Sequence, residues 1–319
     1  MHKRLVNHCT IDLTLTPNGP ILIKSGKEGA DPTKPDMEFV ETYHQGGKSI
    51  YLPGSSLKGA IRAHAERIVR TVGSDRPSSN SIWANDPLND KRDYLKDAKS
   101  ASDIYKLSCF TDQLFGSTEI ASRLRIEDAH PTDPKELKLE ERNGVAIDRV
   151  FGSVAVGPFN YQVCTAGEFK TRIHLKNFSL AQLGLIGLVL RDLNDGWFGI
   201  GFAKSRGLGT VEVKLNSTVV QYPGCQLRED GRIGAIGQLQ EDGQPKSWPN
   251  TALLGAAEFL TDNPYGFPEG DRDENTSVSA QEMALGFGVQ LTWTGQEQVE
   301  DLFRRVVKSW SQQLQGVTT

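Results

Sequence analysis

The chain has 319 residues, with 36 Lys and Arg against 40 Asp and Glu, a formal net charge of -4 and a hydrophobic fraction of 37%. That length and apolar content supply a core for one large domain or two modest ones and exclude a disordered chain, while the mildly acidic balance excludes a globally basic duplex-binding surface, so any nucleic-acid contact must be local. No apolar run approaches the roughly 18 to 20 residues of a membrane helix, and Met1-His2-Lys3-Arg4 leads into an alternating segment without a signal-peptide core, which predicts a soluble, cytoplasmic protein with no membrane partner.

Ile11, Leu13 and Leu15 alternate with polar residues, so about Leu5 to Thr16 is predicted as a half-buried strand, ended by Pro17-Asn18-Gly19-Pro20. After an apolar run at Ile21 to Ile23 and a polar stretch, Pro53-Gly54 turns the chain and a following serine can cap a helix. Leu57, Ala60, Ile61, His64, Ala65, Ile68, Val69 and Val72 then recur at helical spacing and give a continuous apolar face, with Lys58, Arg62 and Arg70 off it. The polar run from Gly73 to about Ser108 reads as an insertion rather than as core. Strands are predicted at Arg123 to Glu127 and Glu168 to Lys176, with a hairpin-like excursion over Glu140 to Thr165 between them. Leu180, Leu183, Ile186, Val189, Leu190 and Leu193 mark a second helix, followed by a Gly-rich loop and the strand Thr210 to Leu215.

The order β-α-β-β-α-β predicts an α+β fold of the ferredoxin-like (RRM-like) kind, with two helices on one face of an antiparallel sheet and the other face open. Such a fold hosts enzymes, metal carriers and RNA binders alike, so function must come from the site. Beyond Leu215 the composition shifts to scattered Gly, Gln and Pro, and a second module is expected over residues 217–319. There Phe287, Val289, Leu291 and Trp293 alternate as a strand, and Val299 to Leu314 form an amphipathic helix whose apolar stripe needs a partner in this chain or another.

Two segments can approach an anion. Gly54-Ser55-Ser56-Leu57-Lys58-Gly59 opens the first helix, where backbone N–H groups, hydroxyls and the helix dipole favour phosphate, with Lys58 and Arg62 close by; an ordinary capped helix with a solvated basic face uses the same residues. Gly199 to Gly209 packs four glycines, Lys204 and Arg206 into one loop, which permits close backbone approach to phosphates or simply makes a tight connection. Neither Thr42 to Ser49 nor Gly54 to Ala60 satisfies a Walker loop, and Lys204 stands where a dinucleotide fingerprint needs its third Gly. Asp31, Asp36 and Glu38 share a Pro-rich loop in which turn chemistry is the ordinary explanation, without the spacing of an EF-hand. His64, on the apolar face, is expected to be a packed, hydrogen-bonded histidine. The four cysteines, Cys9, Cys109, Cys164 and Cys225, are far apart and form no C-x-x-C pair, which argues against a disulfide framework.

In this order the motifs resemble the RAMP superfamily of CRISPR effector proteins, and within it the backbone subunits of type III complexes. The segment Tyr51 to Arg62 is the most specific match; Leu114-Phe115-Gly116-Ser117, Gly144 to Arg149 and Gly199 to Gly209 follow in the family's order, so the likeness covers about residues 1–216. The resemblance implies a palm that polymerises along a CRISPR guide RNA, contacted here through Gly54, Ser55, Ser56, Lys58, Arg62, Lys204 and Arg206. It implies a thumb over about residues 130–166 whose Val145 and Ile147 wedge between nucleotides while Arg149 holds the adjacent phosphate, and an insertion over about 73–110. It also implies cleavage of complementary target RNA, dependent on a divalent metal (Mg2+ or Mn2+), by an Asp in the loop before the Pro-Gly-Ser-Ser helix. Asp36 best matches that Asp as catalytic residue and metal ligand, and Asp31 is the fallback. Zinc-bearing members carry C-x-x-C just before the Phe-Gly, whereas Cys109-Phe-Thr-Asp112 stands here, which argues against a structural zinc. Other CRISPR effector subunits are the expected partners. A non-cutting scaffold or capping subunit of the same complex is the alternative, and a nucleotide-cyclising or hydrolysing enzyme using the Asp31 to Glu38 carboxylates is a third.

Overall fold

The computed structural model describes residues 4–26, 35–44, 47–78, 82–88, 93–239 and 245–316. In chain order the elements are β1 (His8–Pro17), β2 (Glu41–His44), β3 (Gly47–Ile50), α1 (Gly54–Val72), α2 (Ala101–Leu107), α3 (Phe110–Phe115), β4 (Leu124–Ile126), β5 (His130–Pro131), β6 (Lys138–Ile147), β7 (Val154–Ala166), β8 (Phe169–Lys176), α4 (Leu180–Asn194) and β9 (Val211–Tyr222). They continue with β10 (Cys225–Leu227), β11 (Ile233–Leu239), β12 (Pro245–Trp248), β13 (Leu253–Leu254), β14 (Arg272–Asp273), β15 (Gln281–Glu282), β16 (Val289–Thr294) and α5 (Gly295–Gly316).

The chain is α+β. Its main sheet has the strand order β15-β16-β9-β1-β8-β4, with β5 also on β8, and every one of these pairings is antiparallel. Period-two alternation settles which face each strand buries: Cys9, Ile11, Leu13 and Leu15 of β1, Phe169, Ile173 and Leu175 of β8, and Leu124 and Ile126 of β4 all enter the core. α1 and α4 cover that face, each through the apolar stripe that its spacing marks out. The opposite face carries the polar half of the alternation and stays open, with Lys170, Arg172 and Lys176 exposed.

β9 runs seven residues past the predicted end at Leu215, and a bulge conceals the continuation. The register against β1 shifts between Asp12 and Leu13, so the inward phase moves from Val211, Val213 and Leu215 to Thr218, Val220 and Tyr222. The residues after 217 then add to the same sheet, because Val289 to Thr294 of β16 pair with Tyr222 to Ser217. The apolar stripe of α5 finds its partner within the chain. Gly184 and Gly187 of α4 leave room for it, since a Cβ there would stand 2.5 Å from the Val306 carbonyl oxygen and 2.7 Å from the Phe303 ring. The polar run after Gly73 also reaches the interior: Tyr105 of α2 is buried with Ala256 and Phe267, and its ring carries the Arg123 guanidinium at 3.8 Å. One buried aromatic on a seven-residue helix leaves no periodic trace in sequence.

Asp271 should make the stability of this fold depend on pH. Its Oδ1 accepts from the Leu180 amide at 2.9 Å, whereas Oδ2 is buried without a hydrogen-bond partner among the described residues. Burial, assisted by nearby Glu258, pushes its pKa up to about 7. A carboxyl whose folded pKa exceeds its unfolded value of roughly 3.9 stabilises the fold fully below that value, and the contribution is lost as pH rises through the folded pKa. The unfolding free energy of the wild type should therefore fall between pH 4 and 8, by about 4 kcal/mol from this group. Asp271→Asn should flatten that dependence; parallel pH profiles for the two proteins would contradict it.

Candidate nucleic-acid interface

The Pro-Gly turn before α1 is fastened to the end of β4. Leu52 exchanges backbone hydrogen bonds with Ala129, and the Gly54 amide donates to Asp128 Oδ1 at 2.7 Å. The helix is capped by this carboxylate from across the sheet, with Pro53 at the N-cap position, and not by one of its own serines. Ser55 and Ser56 consequently point outward and are exposed. Lys58 Nζ donates to Ser122 Oγ at 2.8 Å, and partial burial together with the neighbouring Arg62 lowers its pKa below the ordinary lysine value. Gly54 faces the Ile126 carbonyl and not solvent.

Arg62 is directed to α3. It donates to Asp112 Oδ1 at 2.6 Å, to Glu66 Oε1 at 2.8 Å and to the Gly116 carbonyl at 2.8 Å. Cys109 Sγ accepts from the Asp112 amide at 3.3 Å as the N-cap of α3. The Cys-x-x-Asp pair thus serves a helix cap and an ion pair, and Arg62 holds α3 to α1. His64 is packed and hydrogen-bonded: its Nε2 lies 2.7 Å from Asp192 Oδ2 and its ring stacks on Phe198.

A second group of predicted residues converges around the root of the β6–β7 hairpin. Asp36 is exposed and its Oδ2 accepts from the Asn160 amide at 2.8 Å, so its loop is laid along β7, with Met37 bridged to Tyr161. The Gly-rich loop reaches the same place from the other side. Its Phe202 amide donates to the Leu22 carbonyl at 2.7 Å, and the Arg206 guanidinium stands 6.0 Å from the Phe159 ring and 5.2 Å from Phe202. Gly201 and Gly209 have positive φ of 76° and 97°, and a Cβ on either would strike the backbone of Leu22 or Ile200. These glycines close a tight loop that holds Lys204 and Arg206 exposed at its tip.

From this root β6 and β7 project as a two-stranded arm. Asp148 turns its tip by accepting from the Val150 and Phe151 amides at 2.7 and 2.9 Å. Val145, Ile147, Arg149, Val150, Phe151, Val154 and Val156 are all exposed, Phe151 by 83%. Apolar groups gathered on a free arm mark a contact surface.

Asp31 lies outside the described residues. Among the described residues no three His, Cys, Asp or Glu side chains converge to hold a metal ion. Sequence reasoning missed Phe159 and Asn160, which meet Arg206 and Asp36, and assigned no capping role to Asp128; no local pattern marks residues whose partners lie tens of positions away. No curated protein matches the chain. The model of one protein family, described as the RAMP superfamily, matches residues 14–212.

Proposed function

The chain belongs to the RAMP superfamily, which is CRISPR-associated and RNA-binding, and on that premise we propose that it is a guide-RNA-binding backbone subunit of a type III CRISPR effector complex that cuts complementary target RNA. The observation that carries this reading is that Asp36 and Arg206 of the Gly-rich loop both reach the root of the hairpin arm, at the neighbouring residues Asn160 and Phe159. Succession of β1, α1, β4, β8, α4 and β9, with their strands ordered β9-β1-β8-β4, supports a ferredoxin-like palm over residues 1–216. In the same proposal residues 73–110 are an insertion, 130–166 the thumb, and 217–319 an extension through which other effector subunits dock.

The chemistry asks little of the protein. If the thumb displaces one nucleotide of a guide–target duplex, its 2'-hydroxyl can align with the adjacent phosphorus. Asp36 takes the hydroxyl proton, the 2'-oxygen bonds to phosphorus and the bond to the 5'-oxygen breaks, with water protonating the leaving group. Lys204 and Arg206 hold flanking phosphates without reading bases, and Lys58, Ser55 and Ser56 hold the RNA backbone at the helix start, where the Gly54 amide is already taken by Asp128. The divalent metal is part of the proposal as a requirement of the assembled complex, with no step assigned to it. Incubating purified complex with complementary RNA and magnesium tests the reading: regularly spaced products that vanish on chelation support it. Intact RNA favours the second reading, a non-cutting scaffold of the same complex.

The arm has its own expected result. Val150→Ser with Phe151→Ser should leave the unfolding midpoint within about 0.5 kcal/mol of wild type, because both side chains are exposed. Product spacing or target pairing should change, since the intercalating surface is lost. Unaltered products in a sequencing gel would count against a thumb at this hairpin.

A further inference from the structure

The open face of the main sheet carries a column of cations that none of the motifs above accounts for. Lys170, Arg172 and Lys176, with His174 between the last two, alternate along β8, so they point to one side at a repeat of roughly 6.7 Å. Arg125 of β4 is paired beside His174, and His8 of β1 beside Lys176. The nearby carboxylates are already engaged: Asp12 lies 3.4 Å from Arg172, and Glu127 accepts from Arg125 at 3.1 Å and lies 2.9 Å from His174. Glu212 is exposed two strands away, opposite Thr16. Lys170 and Lys176 are exposed and have no carboxylate within ion-pair distance among the described residues. Burial and the adjacent His174, Arg125 and Lys176 hold the His8 pKa below its ordinary value, as expected in a field of positive charge.

At the Lys176 end the column opens into a groove of about 470 Å³ that wraps the β4 edge, lined by His8, Ser55, Lys58, Arg125, His174 and Lys176. Cations at a regular spacing match a polymer of phosphates better than they match a folded protein surface. No Phe, Tyr or Trp lies at the outward positions of β1, β4 or β8, where the rings are the imidazoles of His8 and His174 with centroids 5.6 Å apart, so charge outweighs base stacking on this face. We infer that the outward face of β8, running into the groove beside Lys58, is a sequence-independent track for the sugar-phosphate backbone of single-stranded RNA. The track is separate from the Asp36 and Arg206 site, and it rests on the proposal that this chain binds RNA.

The test is binding of a fluorescent oligouridine to the full chain across a salt series. The double variant Lys170→Ser, Lys176→Ser should bind at least several-fold more weakly at low salt, and its log-affinity slope against log salt should be shallower by about 1.4, two phosphate contacts at roughly 0.7 each. Lys308→Ser, an exposed cation on α5, should match wild type. If wild type binds and the double variant keeps both affinity and slope, this inference fails while RNA binding stands. If the double variant binds RNA normally but loses proteins that co-purify with wild type, the face serves a protein partner and the track is refuted. If wild-type protein binds no RNA, alone or in the assembled complex, the functional proposal falls and takes the track with it.

Discussion

Replacing Asp36 with Ala should abolish target cleavage, by a factor on the order of 10² to 10⁴ if the carboxylate acts as general base, while guide retention and target binding persist. The side chain is exposed and, among the described residues, its hydrogen bond is the one from the Asn160 amide at 2.8 Å. Losing that contact releases an amide to solvent, which costs about 1 kcal/mol or less. The loss should therefore appear in the cleavage rate of the assembled complex and not in its yield or RNA content. Asp31→Ala is the paired measurement. Normal cutting by Asp36→Ala with loss in Asp31→Ala moves the assignment five residues upstream, and full-rate cutting by both, in a complex without another nuclease, ends the enzymatic reading.

Gly54→Ala should destabilise the fold by about 3 kcal/mol or more, through overpacking against backbone that cannot yield. The added Cβ would lie 2.2 Å from the Ile126 carbonyl oxygen and 3.0 Å from the Glu127 carbonyl carbon. Relief requires moving α1 off β4, which would also break the Gly54 hydrogen bond to Asp128. Ser55→Ala and Ser56→Ala, at exposed neighbouring positions, should stay within about 0.5 kcal/mol of wild type and act on RNA affinity alone. Urea denaturation beside a binding titration separates the two classes of effect. A Gly54→Ala protein with an unchanged midpoint and weakened RNA binding would show that the glycine serves the ligand and not the packing.

These two positions illustrate what residue order determines and what it leaves open. The elements themselves were legible wherever a single period runs uninterrupted: the 3.6-residue spacing from Leu57 to Val72 and from Leu180 to Leu193, and the alternation in Ile11 to Leu15, Phe169 to Leu175 and Val289 to Trp293. The family was legible too, because its motifs are short, contiguous and ordered along the chain. The continuation of β9 was hidden, because a bulge inverts the phase of its alternation after Leu215.

The site was legible as a set of residue types but not as an arrangement. Arg62 and Lys58 sit four positions apart on one helix, yet Arg62 is held by Asp112, Glu66 and Gly116 while Lys58 faces the groove at the β4 edge. Asp36 and Arg206 are 170 residues apart and reach neighbouring residues of β7 only because segments 20–23 and 36–40 are strung between β7 and the Gly-rich loop. The cations of β8 looked like the solvated half of an ordinary strand; Arg125 joins them only once β4 is paired alongside. Local order specifies which conformation each segment prefers, since that depends on neighbours three or four positions away. Which charge is consumed by the fold and which is left for a ligand depends on partners brought together by packing, and only the tertiary structure decides that.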